Sequence, residues 1–552
     1  MQSLDHRENG NEAIKRGDYI SAWQHYTEGL KITPKDPYLW CNRVFASLKA
    51  GYPELALHDS ANCENILSEH PEQDFKDDID LFKLKLKGKY RMAEAYGVLG
   101  LPKHAAFEYR ACMDIAKKED PSMKAYTKND FNMWEKKKED YYKTSLLHDQ
   151  FLKSCEIVET RKRHGFYKFE GKYPWDKRYE ERTSDEMIEK LQQKLDSASN
   201  NLLRISKFRF DDSEQLGIFV KNSINKNRLT LQEDPFLTAH NYYTYRCDYC
   251  FQELIEPSLS LYEYRDPKKK DPYHCPKRSC EEVFCSEKCY KLAWNLYHKA
   301  LCGKDKEIRE VVDIINDDTI GVLHHLMLTV RIFAVAKVRD ICPLDIEEIR
   351  HLCRFTPVSA PFRGKMIYDT SFYDIYLSTL RIIEVSRFDL RYDYWVFITV
   401  MNTILPNSFP GPGVSEMIDT LVLYPISSLV NHNCSPSFFD AQYLSQDYDS
   451  SPGPIRDNIR MRCKIDDTDN SYHPARIFFV PSRDIQEGEQ VLKSYCDPVQ
   501  RTTERLIGLV TTFGFICKCE RCEIDPGELK QEPVNWHFHF PVIPDWVKKY
   551  DN

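Results

Sequence analysis

The chain has 552 residues, room for three to four domains at about 150 residues each, and 42% of them are apolar, which excludes collagen-like, low-complexity and disordered classes. With 77 Lys+Arg against 85 Asp+Glu the formal charge is −8, so no global positive field draws the protein onto nucleic acid or an acidic membrane. No run approaches the roughly 18 uninterrupted apolar residues of a spanning helix, and the start, MQSLDHRENGNEAIKRGD, lacks the apolar core of a signal peptide. A reducing, cytoplasmic setting is therefore expected; Arg161-Lys162-Arg163 and Lys268 to Lys270 are too short to count as a nuclear signal, so nuclear entry stays open. In that setting clustered thiols bind metal or react, and the nineteen cysteines are clustered: four before residue 247, seven from Cys247 to Cys302, and three from Cys517 to Cys522.

Residues 1–125 repeat. Gly17, Ala22 and Gly29 recur 34 residues on as Gly51, Ala56 and the small Cys63, and a third copy (Gly100, Ala105, Tyr109, Cys112) follows an insertion near LSEHPEQDFKDDID. A 34-residue period predicts tetratricopeptide-like helix pairs whose small residues let paired helices approach; coincidental spacing in an ordinary helical bundle is the competing reading. Arg7 and Asn11, and Lys87 and Arg91, are each four apart and so share a helix face, with Asn42 opening the intervening repeat. This set resembles the carboxylate clamp of chaperone-binding tetratricopeptide domains. The resemblance implies that all five hold the C-terminal carboxylates of a cytosolic heat-shock chaperone, while a solvated charged face is the plainer alternative.

Residues 126–205 are charged and helical in flavour and are read as a connector. The segment 246–303 then carries Cys247-x-x-Cys250, Cys275, Cys280, Cys285-x-x-x-Cys289 and His298-x-x-x-Cys302, eight ligands for two closed, structural tetrahedral sites. The run YHCPKRSCEEVFCSEKCYKLAWNLYHKALC resembles a MYND finger, a module that binds proline-containing peptides. The resemblance implies one zinc on Cys247, Cys250, Cys285 and Cys289 and another on Cys275, Cys280, His298 and Cys302. Residues 304–400 read as a helical insert.

Farther on, LYPISSLVNHNCSPS (423–437), DIQEGEQVLKSYCD (484–497) and FGFICKCERC (513–522) follow in order and together resemble a SET domain. With the finger upstream, the chain resembles the SMYD family of SET and MYND methyltransferases, in its tetratricopeptide-bearing, fourth-member-like branch. The fold implied is multidomain α+β: helical repeats (1–125), a connector (126–205), a first SET portion (206–245), the MYND finger (246–303), the insert (304–400), core SET (401–500), a post-SET zinc segment (501–525) and a tail (526–552). The activity implied is transfer of the methyl group of S-adenosylmethionine to a protein lysine, a displacement in which positioning and water exclusion do most of the catalysis.

By the same resemblance Gly217, Asn407, Asn431, His432, Tyr495 and Phe515 contact the cofactor, Tyr495 and Phe513 form the catalytic channel, and Cys434 joins Cys517, Cys519 and Cys522 around a third zinc. A core strand Tyr is the alternative for Tyr495. Three residues depart from the family pattern. Gln215 stands where the first Gly of Gly-x-Gly is usual, Ser437 replaces an Asn, and Phe513 falls where a second Tyr is usual. A catalytically degenerate SET protein, acting as a scaffold or corepressor through its repeats and finger, is therefore the rival expectation. A monomer with no direct nucleic-acid or membrane partner is expected.

Overall fold

Helix-start signals in the first hundred residues recur at the expected spacing. Asp18 caps α2 (Tyr19–Ile32) by accepting from Ser21 N at 3.0 Å, and Asp36 caps α3 (Pro37–Ala50) by accepting from Tyr38 N at 2.8 Å, with Pro37 pre-set for the first turn. Gly51 takes the left-handed conformation (φ 91°) that ends α3. From the start of α1 (Ser3–Lys15) to that of α3, and from α2 to α4 (Pro53–Glu69), the step is 34 residues. The third pair, α5 (Asp78–Leu99) and α6 (Pro102–Glu119), is displaced by the insertion. Pairs pack because small residues face large ones: a Cβ on Gly10 would lie 2.4 Å from the Tyr26 ring. The computed structural model describes residues 3–69, 78–99, 101–119, 132–140, 173–210, 213–240, 245–255, 270–316, 323–354, 370–410, 420–442, 475–513 and 515–524. The expected tail, 526–552, lies outside them, as do Gly100 and the basic triplet at 161–163.

Beyond the repeats the chain is mixed helix and strand. Strands β1 (Leu203–Phe210) and β2 (Ser213–Val220) form a hairpin in register Leu203↔Val220 to Phe210↔Ser213. Strand β3 (Leu231–Glu233) is the edge of a sheet whose other members come late in sequence, and β4 (Leu237–His240) starts another. A two-stranded ladder, β5 (Tyr273–His274) with β6 (Val283–Phe284), belongs to the cysteine-rich segment. Strands β7 (Ser408–Pro410) and β8 (Thr420–Leu423) complete the sheet of β4, in order β4-β8-β7. Strand β9 (Asn431–His432) runs parallel to β12 (Leu492–Lys493), while β10 (Phe438–Gln442) and β11 (Ile477–Pro481) pair with β3. The early hairpin is thus sewn to segments over 200 residues later: Val491 N donates to Ile218 O at 2.8 Å and Val220 N to Glu489 O at 2.9 Å.

Two expected boundaries move. The connector assigned to 126–205 ends in a helix, Asp185–Ala198, whose Met187, Leu191 and Leu195 recur every four residues and pack with Leu203, Ile205, Leu216 and Ile218; this stretch belongs to the β core. Within the same expected connector, Trp175 stacks on Trp23 of α2 at 3.8 Å and Tyr173 donates to Glu54 of α4 at 3.1 Å, so it also grips the repeats. The insert assigned to 304–400 is helical, but its last helix, Tyr394–Asn407, runs through residue 400 and ends at Asn407. A buried ionic network joins insert to repeats: Arg43 pairs with Asp59 (2.6 Å) and Asp393 (3.0 Å), and His58 lies 3.2 Å from Asp393. Among the described residues no helix is long and apolar enough to cross a membrane.

Candidate functional site

Three groups of four ligands stand out, each with its donor atoms within 4.8 Å of one another: Cys247, Cys250, Cys285 and Cys289; Cys275, Cys280, His298 and Cys302; and Cys434, Cys517, Cys519 and Cys522. The spacings explain how the first two form. Phe251, at φ 66°, turns the chain tightly after Cys250, and Ser286 caps the helix Glu287–Ala293 by accepting from Cys289 N, aiming Cys289 back at Cys285 (Sγ···Sγ 3.5 Å). A π-helical turn, Trp294–His298, rotates His298 toward Cys275 (3.4 Å) and Cys280 (3.7 Å). All-thiol and three-thiol-one-imidazole sets, closed and mostly buried, suit a structural zinc ion at each place. The cysteine-rich segment is also anchored: buried Arg331 pairs with Asp248, and Tyr297 donates to the same carboxylate at 2.9 Å.

The third group gathers distant residues, Cys434 lying 3.5 Å from Cys522. A neighbouring trio, His432, Cys434 and Cys496, also has its donor atoms within metal-binding range. Hydrogen-bond accounting decides between the two sets. Tyr495 N can only donate, and it donates to His432 Nδ1 at 2.9 Å, so the ring's hydrogen sits on Nε2, 3.2 Å from Cys434 Sγ. His432 is therefore an N–H donor to the Cys434 sulfur, with no lone pair left for a metal, and Cys434 serves the four-thiol set.

Around His432 the remaining expected site residues converge. Asn431 donates to Leu216 O at 3.0 Å, tying β9 to the β1–β2 hairpin beside Gly217. The space over Gly217 is taken by Gln490, whose Nε2 would lie 2.4 Å from an added Cβ, so this glycine admits a side chain close to β2. Tyr495 donates its hydroxyl to Val430 O at 2.7 Å, which turns the oxygen's lone pairs the other way; burial, with Cys353 and Asp440 adding to it, raises that hydroxyl's pKa well above the ordinary tyrosine value. Phe513 lies 4.7 Å and Phe515 6.3 Å from the Tyr495 ring, and Phe515 5.9 Å from His432. Asn407 faces the same region from the insert, donating to Cys353 O at 2.7 Å. Ser437 accepts from Leu492 N at 3.3 Å and so pins β12, which leads into Tyr495.

Three contributors escaped the sequence reading. Glu233, half-buried, accepts from Ile426 N (2.8 Å), Ser427 N (2.6 Å) and Ser427 Oγ (2.7 Å), fixing the turn that leads to Val430, and desolvation of its carboxyl raises its pKa to about 7. Arg182 and Cys353 converge on Gln215 from segments with no motif.

On the repeats, the five residues expected to form a clamp, Arg7, Asn11, Asn42, Lys87 and Arg91, occupy the first helix of each pair. Asn11 accepts from Asn42 at 3.2 Å, Arg7 lies over the Tyr38 ring (5.4 Å), and Arg91 lies over Phe45 (5.0 Å) while donating to the Cys41 carbonyl. Lys87 is exposed on α5 one turn from Arg91. They form one row across α1, α3 and α5, while α2 and α4 supply Trp23, Glu54, His58 and Asn62 to the contacts with the rest of the chain.

No family model matches the chain. Short matches exist to plant proteins: 39% identity over 59 residues with Hsp70-Hsp90 organizing protein 2 of Arabidopsis thaliana, covering 11% of this chain and 10% of that protein. Hsp70-Hsp90 organizing protein 1 of Glycine max is 40% identical over 57 residues (10% of each chain), and U-box domain-containing protein 70 of Oryza sativa subsp. japonica is 38% identical over 58 residues (10% and 7%). The chain spans about a tenth or less of the length of the curated relatives it matches.

Proposed function

We propose that this chain is an S-adenosylmethionine-dependent protein-lysine methyltransferase, a SET domain with an inserted MYND finger, recruited to its partners through N-terminal tetratricopeptide repeats. The observation that carries the reading is the meeting of Gly217, Asn407, Asn431, His432, Tyr495 and Phe515, drawn from five separate segments, around one cluster of contacts closed by the Cys434 thiol set. The buried groups there leave polar atoms for a ligand: Gln490 Nε2 and Arg182 Nε are both without a partner among the described residues. When bound, S-adenosylmethionine supplies an electrophilic methyl group on a sulfonium. The chain's own work is positional. Asn431 and His432 fix the hairpin and the Tyr495 strand, the Tyr495 oxygen faces the reacting region with its hydrogen already committed to Val430, and the aromatic rings exclude water.

Two of the similar proteins are named Hsp70-Hsp90 organizing proteins, and this supports a chaperone with a free C-terminal carboxylate as partner of the Arg7, Asn11, Asn42, Lys87 and Arg91 row. A proline-containing peptide at the finger is a further proposed partner. Phe513 favours the second reading, a non-catalytic scaffold: it offers a target amine no hydroxyl where a tyrosine would.

Calorimetry with S-adenosylmethionine on the zinc-loaded protein tests the reading. Binding to the wild type, weakened at least 10-fold in Asn431→Ala, is expected, followed by methyl transfer to lysine in a substrate search. Binding without transfer to any protein would move the assignment to the scaffold. A second titration uses a chaperone C-terminal peptide and its C-terminal amide: Arg91→Ala should weaken the free acid roughly 10-fold and leave the amide unchanged.

A further inference from the structure

Among the described residues the fully buried arginines have anions or cysteine-cluster thiols to face, with one exception. Arg43 meets Asp59 and Asp393, Arg331 meets Asp248, and Arg505 reaches the Cys522 sulfur of the third thiol set. Arg182, 3% exposed, meets only neutral groups among the described residues: Nη2 donates to Gln215 Oε1 (2.8 Å) and Glu214 O (3.4 Å), Nη1 to the Cys353 thiol (3.5 Å), the guanidinium lies over the Tyr179 ring (5.2 Å), and Nε has no partner among them. The nearby carboxylates are committed elsewhere, Glu214 to Lys207, Glu181 to Arg350 and Asp176 to Arg178 and Arg354. Burying a guanidinium without a counter-ion is costly, and its retention calls for an anion that the described residues do not supply.

Where Arg182 sits says which anion. Its main acceptor, Gln215, directly precedes Leu216 and Gly217, and the Leu216 carbonyl is held by Asn431; its second contact, Cys353, has its carbonyl held by Asn407. Arg182 thus reaches the edge of the proposed cofactor region between two of its asparagines, from a helical segment that precedes the first strand. We propose that Arg182 is the cation that receives the α-carboxylate of the cofactor's amino-acid end, with Gln215 and Cys353 holding the guanidinium in place. This rests on the cofactor reading above. It also assigns Gln215, the departure from Gly-x-Gly, a purpose: its side chain is the arm that orients Arg182.

The test compares S-adenosylmethionine with its decarboxylated form by calorimetry, on the full chain. Wild type should bind the carboxylated ligand roughly 10- to 100-fold more tightly, the range of a charge-assisted hydrogen-bond pair. Arg182→Gln, verified as folded by its thermal transition, should lose most of that preference through weaker binding of the carboxylated ligand alone, and Arg182→Lys should keep part of it. Equal affinity of wild type for the two ligands overturns the assignment, and so does an Arg182→Gln variant that weakens both alike. Binding of neither ligand to the wild type overturns the cofactor reading itself.

Discussion

At the scale of single residues, His432 and Cys434 stand two apart yet do different chemistry. Because Tyr495 N fixes the ring's tautomer, His432 donates to the Cys434 sulfur and ligates nothing. Metal analysis of purified protein should therefore find three zinc ions per chain in the wild type and in His432→Gln, and two in Cys434→Ser. Glu54 makes a pH-dependent contribution: buried, with one carboxyl oxygen unpartnered, it keeps its proton up to about pH 8 in the folded protein, while an unfolded glutamate loses it near pH 4.3. The folded state binds the extra proton between those values, so this stabilisation is complete below about pH 4.3 and is lost as pH rises through about 8. Denaturant titrations of Glu54→Gln should show a flatter pH profile than wild type and a gain on the order of a few kcal/mol near pH 9. The cysteine ligands were legible from the sequence because short Cys-x-x-Cys and Cys-x-x-x-Cys spacings are local signals. Arg182, Cys353 and Glu233 were not, because their roles depend on contacts across distant segments that no spacing encodes.

Among the elements, the cysteine-rich segment and the helix Leu323–Arg339 that follows it act as one unit. The Asp248 carboxylate lies between two ligands, Cys247 and Cys250, and takes both Arg331, from the insert helix Leu323–Arg339, and Tyr297, from the π-helical turn that carries His298. Loss of the first metal should loosen that helix as well. In Cys285→Ser, amide hydrogens of 323–339 are expected to exchange at least 10-fold faster, and unchanged exchange there would show that the finger folds independently. The helix pairs were readable because a 34-residue period and Asp caps are strong signals. The helix Asp185–Ala198 reads from sequence as part of a helical connector because its charged surface outweighs its apolar residues, and only the β1–β2 hairpin beneath it reveals what Met187, Leu191 and Leu195 cover.

For the whole molecule, the decisive feature is the clasp between repeats and insert. Arg43, Asp59, His58 and Asp393 form a buried network, extended by Arg387 donating to Asn62 at 2.6 Å, and the Trp23–Trp175 stack lies alongside. Removing one member of such a network leaves uncompensated charge, so Asp393→Ala should cost about 3–5 kcal/mol and split a single unfolding transition into two, seen by calorimetry. Asn62 and Arg387 are 325 residues apart in sequence. At synthesis rates of about 5–20 residues per second, the repeats emerge from the ribosome roughly 15–65 s before their clasp exists. During that interval Arg43 and Asp59 have only each other, while the Trp23 ring awaits Trp175 and the His58 ring awaits the Asp393 carboxylate, so the repeats must hold a buried ion pair before its third charge has been made.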